Sequence, residues 1–279
     1  MTGFARVEEI GRGLWRLPLR SLTLPPFDHT NAYLVAAGGE AVLVDPGAVD
    51  AEALAAVRGT LERAGAQKLK AILLTHTHPD HVAGLGAVRA AFGRPLVLVH
   101  PLELGRIAEA EALGAGRVQV GELSIEAIHS PGHSPGHLSF HLPALATALV
   151  GDVLAGEGTT WVGVPEGNMR DYLASLERLA SLPLELIGPG HGPLIRAPQA
   201  KLAEVKAHRL AREARLVALL QAGPQTLLAL RAGVYPSLPH EGLHVPAQKT
   251  LLAHLEKLIA EGRVGRQGAG ETARYGLRG

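Results

Sequence analysis

The sequence predicts a layered α/β sandwich over residues 1–197 and a smaller, mainly helical module over residues 198–279. Two features of the first segment predict the sandwich: short apolar runs that each end in a turn carrying a histidine or an aspartate, and amphipathic stretches between them. A third observation marks the boundary. Beyond residue 198 the pattern changes to long helical periodicity with an excess of basic residues.

The elements follow in order. Residues 13–17, 31–35 and 41–44 read as strands, with Gly38-Gly39 as the hairpin turn between the last two. Asp45-Pro46-Gly47 closes the third strand. Residues 50–64 show helical spacing through Leu54, Val57 and Leu61, with Asp50 placed to cap the helix. Four further runs each lead to a side chain with metal-binding chemistry. Residues 71–74 lead to His76 and His78, 123–128 to His133, 147–151 to Asp152, and 184–190 to His191. If these runs are strands, each such residue sits just past a strand's C-terminal end, where α/β proteins commonly assemble sites. Residues 79–92 and 169–182 read as amphipathic helices. In the tail, residues 203–221, 225–232 and 246–261 read as helices, the last with Leu251, Leu252, Leu255, Leu258 and Ile259 on one stripe. A hairpin around Gly268-Ala269-Gly270 ends the chain.

The densest signal is Thr75-His76-Thr77-His78-Pro79-Asp80-His81. It places three imidazoles and a carboxylate within six residues, and imidazole and carboxylate are ligand types that zinc accepts. Pro79 suits the first position of a helix. Asp80 and His81 then fall in its first turn, where the helix dipole favours an ionised aspartate and a neutral histidine, the states a metal requires. The candidates total seven: His76, His78, Asp80, His81, His133, Asp152 and His191. Seven ligands exceed one tetrahedral zinc and suit two metals if one carboxylate bridges. His137, in the repeated Pro-Gly-His, is expected either to orient a ligand by a hydrogen bond or to donate a proton to a leaving group. His100, His129 and His141 read as packing or surface residues.

Composition narrows the classes. Cysteine is absent, which excludes disulfides, thiolate zinc sites and thiol catalysis. No uninterrupted apolar run approaches the roughly 20 residues that span a bilayer, and residues 1–9 lack a signal-type apolar region, so the expectation is a cytoplasmic protein without a membrane partner. The net charge of +1 divides unevenly: residues 200–279 hold 12 Lys or Arg against 6 Asp or Glu, and the remainder 15 against 20. The basic excess is confined to the tail, where it could meet phosphates.

His-Thr-His-Pro-Asp-His, Pro-Gly-His, Gly-Asp and Gly-His-Gly, in this order, resemble the metallo-β-lactamase superfamily over residues 7–197. The resemblance implies an αββα sandwich with a dinuclear zinc centre. It assigns one metal to His76, His78 and His133, the other to Asp80, His81 and His191, with Asp152 bridging and Asp45 supporting without ligating. True β-lactamases of the family often use a cysteine at the second metal, so antibiotic hydrolysis is not expected. The three tail helices and their two-stranded wing resemble a winged-helix module. With Gly156-Glu157-Gly158-Thr159-Thr160, Pro-Gly-His-Gly-Pro and His208-Arg209-x-x-Arg212-Glu213, the chain is similar to the β-lactamase-like endoribonuclease branch, which implies single-stranded RNA as substrate. Two zinc ions sharing a hydroxide would supply a nucleophile at neutral pH. Asp80 and His137 are the candidate catalytic side chains, and iron or manganese would fit the same ligands. The rival readings are a thioester, lactone or glyoxalase-type hydrolase of small esters, and a non-catalytic nucleic-acid-binding protein stabilised by metal.

Overall fold

The computed structural model describes residues 6–48, 50–238 and 241–278; residues 1–5 of the N-terminal stretch read above lie outside them. The chain divides into two compact units. The first comprises Met1–Ser130, Gly136–Thr159 and Leu182–Pro198, the second Pro131–Pro135, Thr160–Ser181 and Gln199–Gly279.

In the first unit, β1 (Glu8–Gly11), β2 (Leu14–Arg20), β3 (His29–Ala37), β4 (Glu40–Val44), β5 (Lys68–Leu73), β6 (Leu96–Val99) and β7 (Ala110–Ala112) form one sheet in sequential order. Its first four strands pair antiparallel and β4 to β7 parallel. The helices α1 (Ala51–Arg63), α2 (Pro79–Val82) and α3 (Leu85–Ala91) lie within the connections between β4 and β6. A second sheet runs in the order β12-β11-β10-β9-β8, from β8 (Arg117–Val120), β9 (Leu123–His129), β10 (Leu138–Leu142), β11 (Thr147–Gly151) and β12 (Leu186–Pro189). β11 and β12 are parallel and the other pairs antiparallel.

Alternation along the strands builds two cores. Tyr33, Val35, Val42, Val44 and Leu73 of the first sheet meet Ile125, Ala127, Leu138, Phe140 and Leu149 of the second. Leu34, Leu43, Ile72 and Val97 pack instead with Val57 and Leu61 of α1 and with Leu85 and Val88 of α3. The central strands are thus buried on both faces, which is why they read as continuous apolar runs. The edge strand β8 alternates between exposed and buried.

The second unit holds α4 (Met169–Ala180), whose N-cap Asn168 accepts from the amides of Arg170 and Asp171. Its C-terminal part runs α5 (Pro198–Leu220), β13 (Gln225–Thr226), α6 (Leu227–Val234), α7 (His244–Ala260), β14 (Val264–Gln267) and β15 (Arg274–Leu277). Leu216, Leu220, Leu230, Leu251, Leu255, Leu258, Val264 and Tyr275 form its core. This is the order of a winged helix. Among the described residues no helix is long and apolar enough to cross a membrane.

Three expectations change. The single helix over 79–92 is two, because Gly84 lies against the β4–α1 turn: its amide donates to the Pro46 carbonyl, and a Cβ there would fall 1.9 Å from the Ala48 oxygen. Gln225 and Thr226 are not helical. They pair with β15, making the wing three-stranded, and the Thr226 hydroxyl then caps α6. The strands β1, β6, β7, β8 and β10 are not among those read from the sequence pattern.

Candidate metal centre

β4, β5, β11 and β12 all end at one edge of the first unit, and Asp45, the 75–81 segment, Asp152 and His191 follow directly. His76 and His78 meet edge to face with ring centroids 4.5 Å apart, and His76 lies 4.2 Å from His81. Two sets of three donors come together here, their ligand atoms within 4.8 Å of one another: His76, His81 and Asp152, and Asp80, His81 and His191. His81 and Asp152 are the hinge of the arrangement. The His81 Nε2 lies 3.2 Å from Asp152 Oδ1 and 3.3 Å from His191 Nε2, and the latter lies 3.3 Å from Asp80 Oδ2.

The surrounding hydrogen bonds decide which ring atoms face inward. Asp45, buried with a positive φ of 51°, accepts from the Thr75 amide (2.8 Å), from the Thr75 hydroxyl (2.6 Å) and from His81 Nδ1 (2.8 Å). His76 Nδ1 meets the same hydroxyl at 3.0 Å, and His191 Nδ1 donates to the His29 carbonyl at 2.9 Å. A carbonyl only accepts, so Nδ1 of His191 carries the proton. The Asp45 carboxylate fixes His81 in the same way, and Nε2 of each ring presents a lone pair to the centre. Lone pairs and carboxylate oxygens converging at 3.2–3.4 Å repel unless a cation lies among them.

The electrostatics agree. Burial works against a charged His81, yet the carboxylates of Asp152 and Asp45 raise it well above the ordinary histidine range. Burial also opposes charge on His191, which the hydrogen bond to Asp80 and the field of Asp152 nonetheless raise. Asp80 is held below its usual value: burial alone would raise it, but the hydrogen bond from His191 and the charge of His81 prevail. A field that draws protons to imidazoles draws divalent ions equally, and the two compete for the same atoms. The donor set therefore fits divalent metal.

His133 belongs to the second unit. It sits on the five-residue segment Pro131–Pro135, and Ser130 before it donates its amide to the His137 carbonyl beyond it at 2.9 Å. Its Nδ1 donates to the Trp161 carbonyl at 2.7 Å, which leaves Nε2 as the atom it could offer a metal. The turn that carries it is held by Asn168, whose amide donates to the Gly132 carbonyl, and by the Ser175 hydroxyl on the Pro131 carbonyl.

For His137 the sequence leaves two parts open, orienting a ligand candidate by a hydrogen bond or donating a proton to a leaving group. It is fully buried, its Nε2 accepts from the Asp152 amide at 3.1 Å, and its Nδ1 meets the Ser130 hydroxyl at 3.0 Å. Through these contacts it is placed to position Asp152. Of the remaining histidines, His100 and His129 stack on each other at 4.1 Å, and His141 is buried beside Glu126.

Three supporting residues escape the sequence pattern: Thr75, Asn31 and Tyr33. The Asn31 amide group donates to the carbonyls of Pro189 (3.0 Å) and Gly192 (2.9 Å), its backbone N–H to Gly190 (2.7 Å), and the Tyr33 hydroxyl to Pro189 (2.8 Å). Together they clamp the turn that presents His191. Gly190 admits no side chain, since a Cβ would lie 2.6 Å from Asp152 Oδ1. Asparagine occurs only at positions 31 and 168, and both hold loops that carry ligand candidates. That scarcity is the one signal in the sequence that could have found Asn31; nothing comparable marks Thr75 or Tyr33.

Comparison with known proteins agrees with this geometry. The family model described as "Metallo-beta-lactamase superfamily" matches residues 25–191, and "Beta-lactamase associated winged helix domain" matches 226–272. A "Beta-lactamase-like protein 2 homolog" of Caenorhabditis elegans is 28% identical over 242 residues, covering 84% of this chain and 80% of its own. "Atrochrysone carboxyl ACP thioesterase nsrC" of Aspergillus novofumigatus is 29% identical over 257 residues, covering 85% and 75%. The solved structure of a metallo-beta-lactamase family protein from Thermus thermophilus superposes with a TM-score of 0.74 at 29% identity, covering 95% of this chain and 99% of that one.

Proposed function

The chain belongs to the metallo-beta-lactamase superfamily and is a metal-dependent hydrolase; on that premise we propose that it holds two zinc ions and cleaves phosphodiester bonds of single-stranded RNA. His76, His78 and His133 would hold one ion and Asp80, His81 and His191 the other, with Asp152 serving both. The observation that carries the metal part of this reading is the position of His81, which shares one donor group with His76 and Asp152 and another with Asp80 and His191, the ligand atoms of each group within 4.8 Å of one another. Iron and manganese suit the same nitrogen and oxygen donors.

When bound, the metals lower the pKa of water to about 7 and polarise a phosphoryl oxygen. The protein's own groups do the rest. Asp45 and Thr75 hold His76 and His81 in the tautomer that faces the centre. His137 and Ser130 fix the backbone of Asp152. Asp80, with one oxygen kept off the metal, would orient the attacking water or accept its proton. Support for RNA comes from the winged-helix unit and from its basic excess of 12 against 6.

A second reading, hydrolysis of a thioester or another small carbonyl ester, draws on the relative named as a thioesterase. It also draws on the β2–β3 loop. Phe27 of that loop stacks on His191 at 5.7 Å, while Leu22 and Leu24 are 99% and 76% exposed and offer an apolar wall for an acyl chain. One panel separates the two. The zinc-loaded chain, with a chelator control, meets single-stranded RNA, a simple phosphodiester, a thioester and a lactone. Chelator-sensitive cleavage of RNA upholds the first reading; turnover of the thioester or lactone alone rejects it.

A further inference from the structure

Within the second unit, the charges near α5 do not balance. Glu213, almost fully buried, meets Lys257 at 2.8 Å and Arg263 at 3.0 Å, and Glu261 closes on the same two cations at 2.7 and 3.4 Å. Those four charges cancel. Arg209 and Arg212, one turn apart on α5, are left over: among the described residues no carboxylate lies within ion-pair distance of either. Arg209 is only 2% exposed. It donates to the Thr160 carbonyl and lies over the Tyr172 ring at 5.3 Å, and its Nε has no acceptor. Arg212, half-buried, lies over Tyr235 at 4.9 Å and donates to His208 Nε2 at 3.2 Å. The His254 ring is wholly buried, neither of its nitrogens has a hydrogen-bond partner, and Glu213 is 3.9 Å away. A guanidinium stays charged at any working pH, and burying one beside another without an anion is costly.

We propose that Arg209 and Arg212, with His208 and Tyr235, form a phosphate-binding subsite that takes a backbone phosphate of single-stranded RNA. The identity of the anion rests on the RNA reading given above; the subsite itself rests on the charge imbalance. Arginine's planar fork matches the paired oxygens of phosphate, and two guanidiniums on one helix face present several donors to one tetrahedral group. Burial pushes the Tyr235 hydroxyl up, against the pull of the two arginines, so it remains a donor. His208, depressed by burial and then by Arg212 and Arg209, stays neutral and orients Arg212. The ring of Tyr235 also offers a base a surface on which to stack. The location ties the subsite to the reaction. Thr160, which anchors Arg209, directly precedes Trp161, whose carbonyl anchors His133. A phosphate held there and a ligand of the candidate metal centre therefore hang from neighbouring residues.

The test uses the full-length zinc-loaded protein and a fluorescein-labelled single-stranded 2′-O-methyl RNA that resists cleavage, with affinity read by anisotropy across a salt series. Arg212→Gln is expected to weaken binding about tenfold and to lower the salt slope by about one, with Arg212→Lys recovering part of the loss. Arg215→Gln, exposed on the same helix, is the control and changes affinity less than about twofold. Equal losses at 212 and 215, or none at 212, overturn the proposal. A second arm needs no RNA: inorganic phosphate raises the melting temperature of the wild type and not of Arg212→Gln, and absence of that shift in the wild type overturns the subsite whatever the panel finds. A third arm compares coenzyme A with pantetheine. If Arg212 governs coenzyme A and not RNA, the RNA source is overturned, while failure of RNA cleavage alone leaves the phosphate arm to be read by itself.

Discussion

The backbone amide of Asp152 donates to Nε2 of His137 at 3.1 Å, so a histidine that supplies no ligand atom fixes the residue proposed to bridge two metals. The bond also fixes the tautomer. Nδ1 carries the proton toward Ser130, whose hydroxyl continues to Ser139 at 2.8 Å. His137→Ala is therefore expected to lower metal affinity about 10- to 100-fold, as loss of a ligand's support generally does. Competition with a graded chelator measures it. If His137 acted as a proton donor, the variant would keep its metals and lose only the basic limb of its rate profile.

Asn31 and His191 stand 160 positions apart, yet the first sets the pose of the second. Asn31→Ala would remove the side-chain donor from the buried Gly192 carbonyl and leave Pro189 to the Tyr33 hydroxyl alone, at a cost of about 1–3 kcal/mol of stability. Thermal unfolding reads the loss. Because the clamped turn carries His191, zinc retention should fall in the same variant, and Asn31→Asp, which sets a buried acceptor against the same two carbonyls, should cost at least as much.

How far this was legible in the sequence follows from the range over which each residue acts. His76, His78, Asp80 and His81 lie in one hexapeptide, and Asp152 and His191 each follow an apolar run, so local pattern sufficed to pick them out. Asn31 and Tyr33 act on backbone carbonyls, and Thr75 on the Asp45 carboxylate, that only the folded chain brings near, and beyond the scarcity of asparagine a single sequence carries no trace of those pairings. The break at Gly84 was hidden for the same reason: it depends on the Pro46 carbonyl, not on the helix's own residues. His137 shows a third limit. Its place near the centre was readable, but which nitrogen faces which neighbour was not.

Asp45 joins three groups, Thr75 through both its amide and its hydroxyl, and His81. Asp45→Asn would keep the volume and remove the charge that holds His81 Nδ1–H. His81 belongs to both donor sets seen in the first unit, so metal content measured by elemental analysis should fall from two ions toward one, with hydrolysis lost in step. Asp152→Ala and His78→Ala should each abolish hydrolysis while the circular-dichroism spectrum stays that of the wild type. Full activity in either would remove the centre from consideration.

Glu213 makes the winged-helix unit acid-sensitive. Burial alone would raise its carboxyl, but the neighbouring His254 and Lys257 reverse that and hold it at about 2, against 4.5 for an unperturbed glutamate. A depressed pKa in the folded state means the unfolded chain binds the proton more readily. The contribution is thus fully present above pH 4.5 and drains away as pH falls toward 2. The shift corresponds to at most about 3 kcal/mol, and to less in practice because Arg263, one of the two paired cations, is half exposed. Urea unfolding followed from neutral pH down through this window should show stability falling in the wild type and a shallower fall in Glu213→Gln. That variant should also be less stable at neutral pH, since Lys257 and Arg263 then share Glu261 alone. Parallel acid limbs in the two proteins would mean that the buried carboxylate is not what the acid titrates.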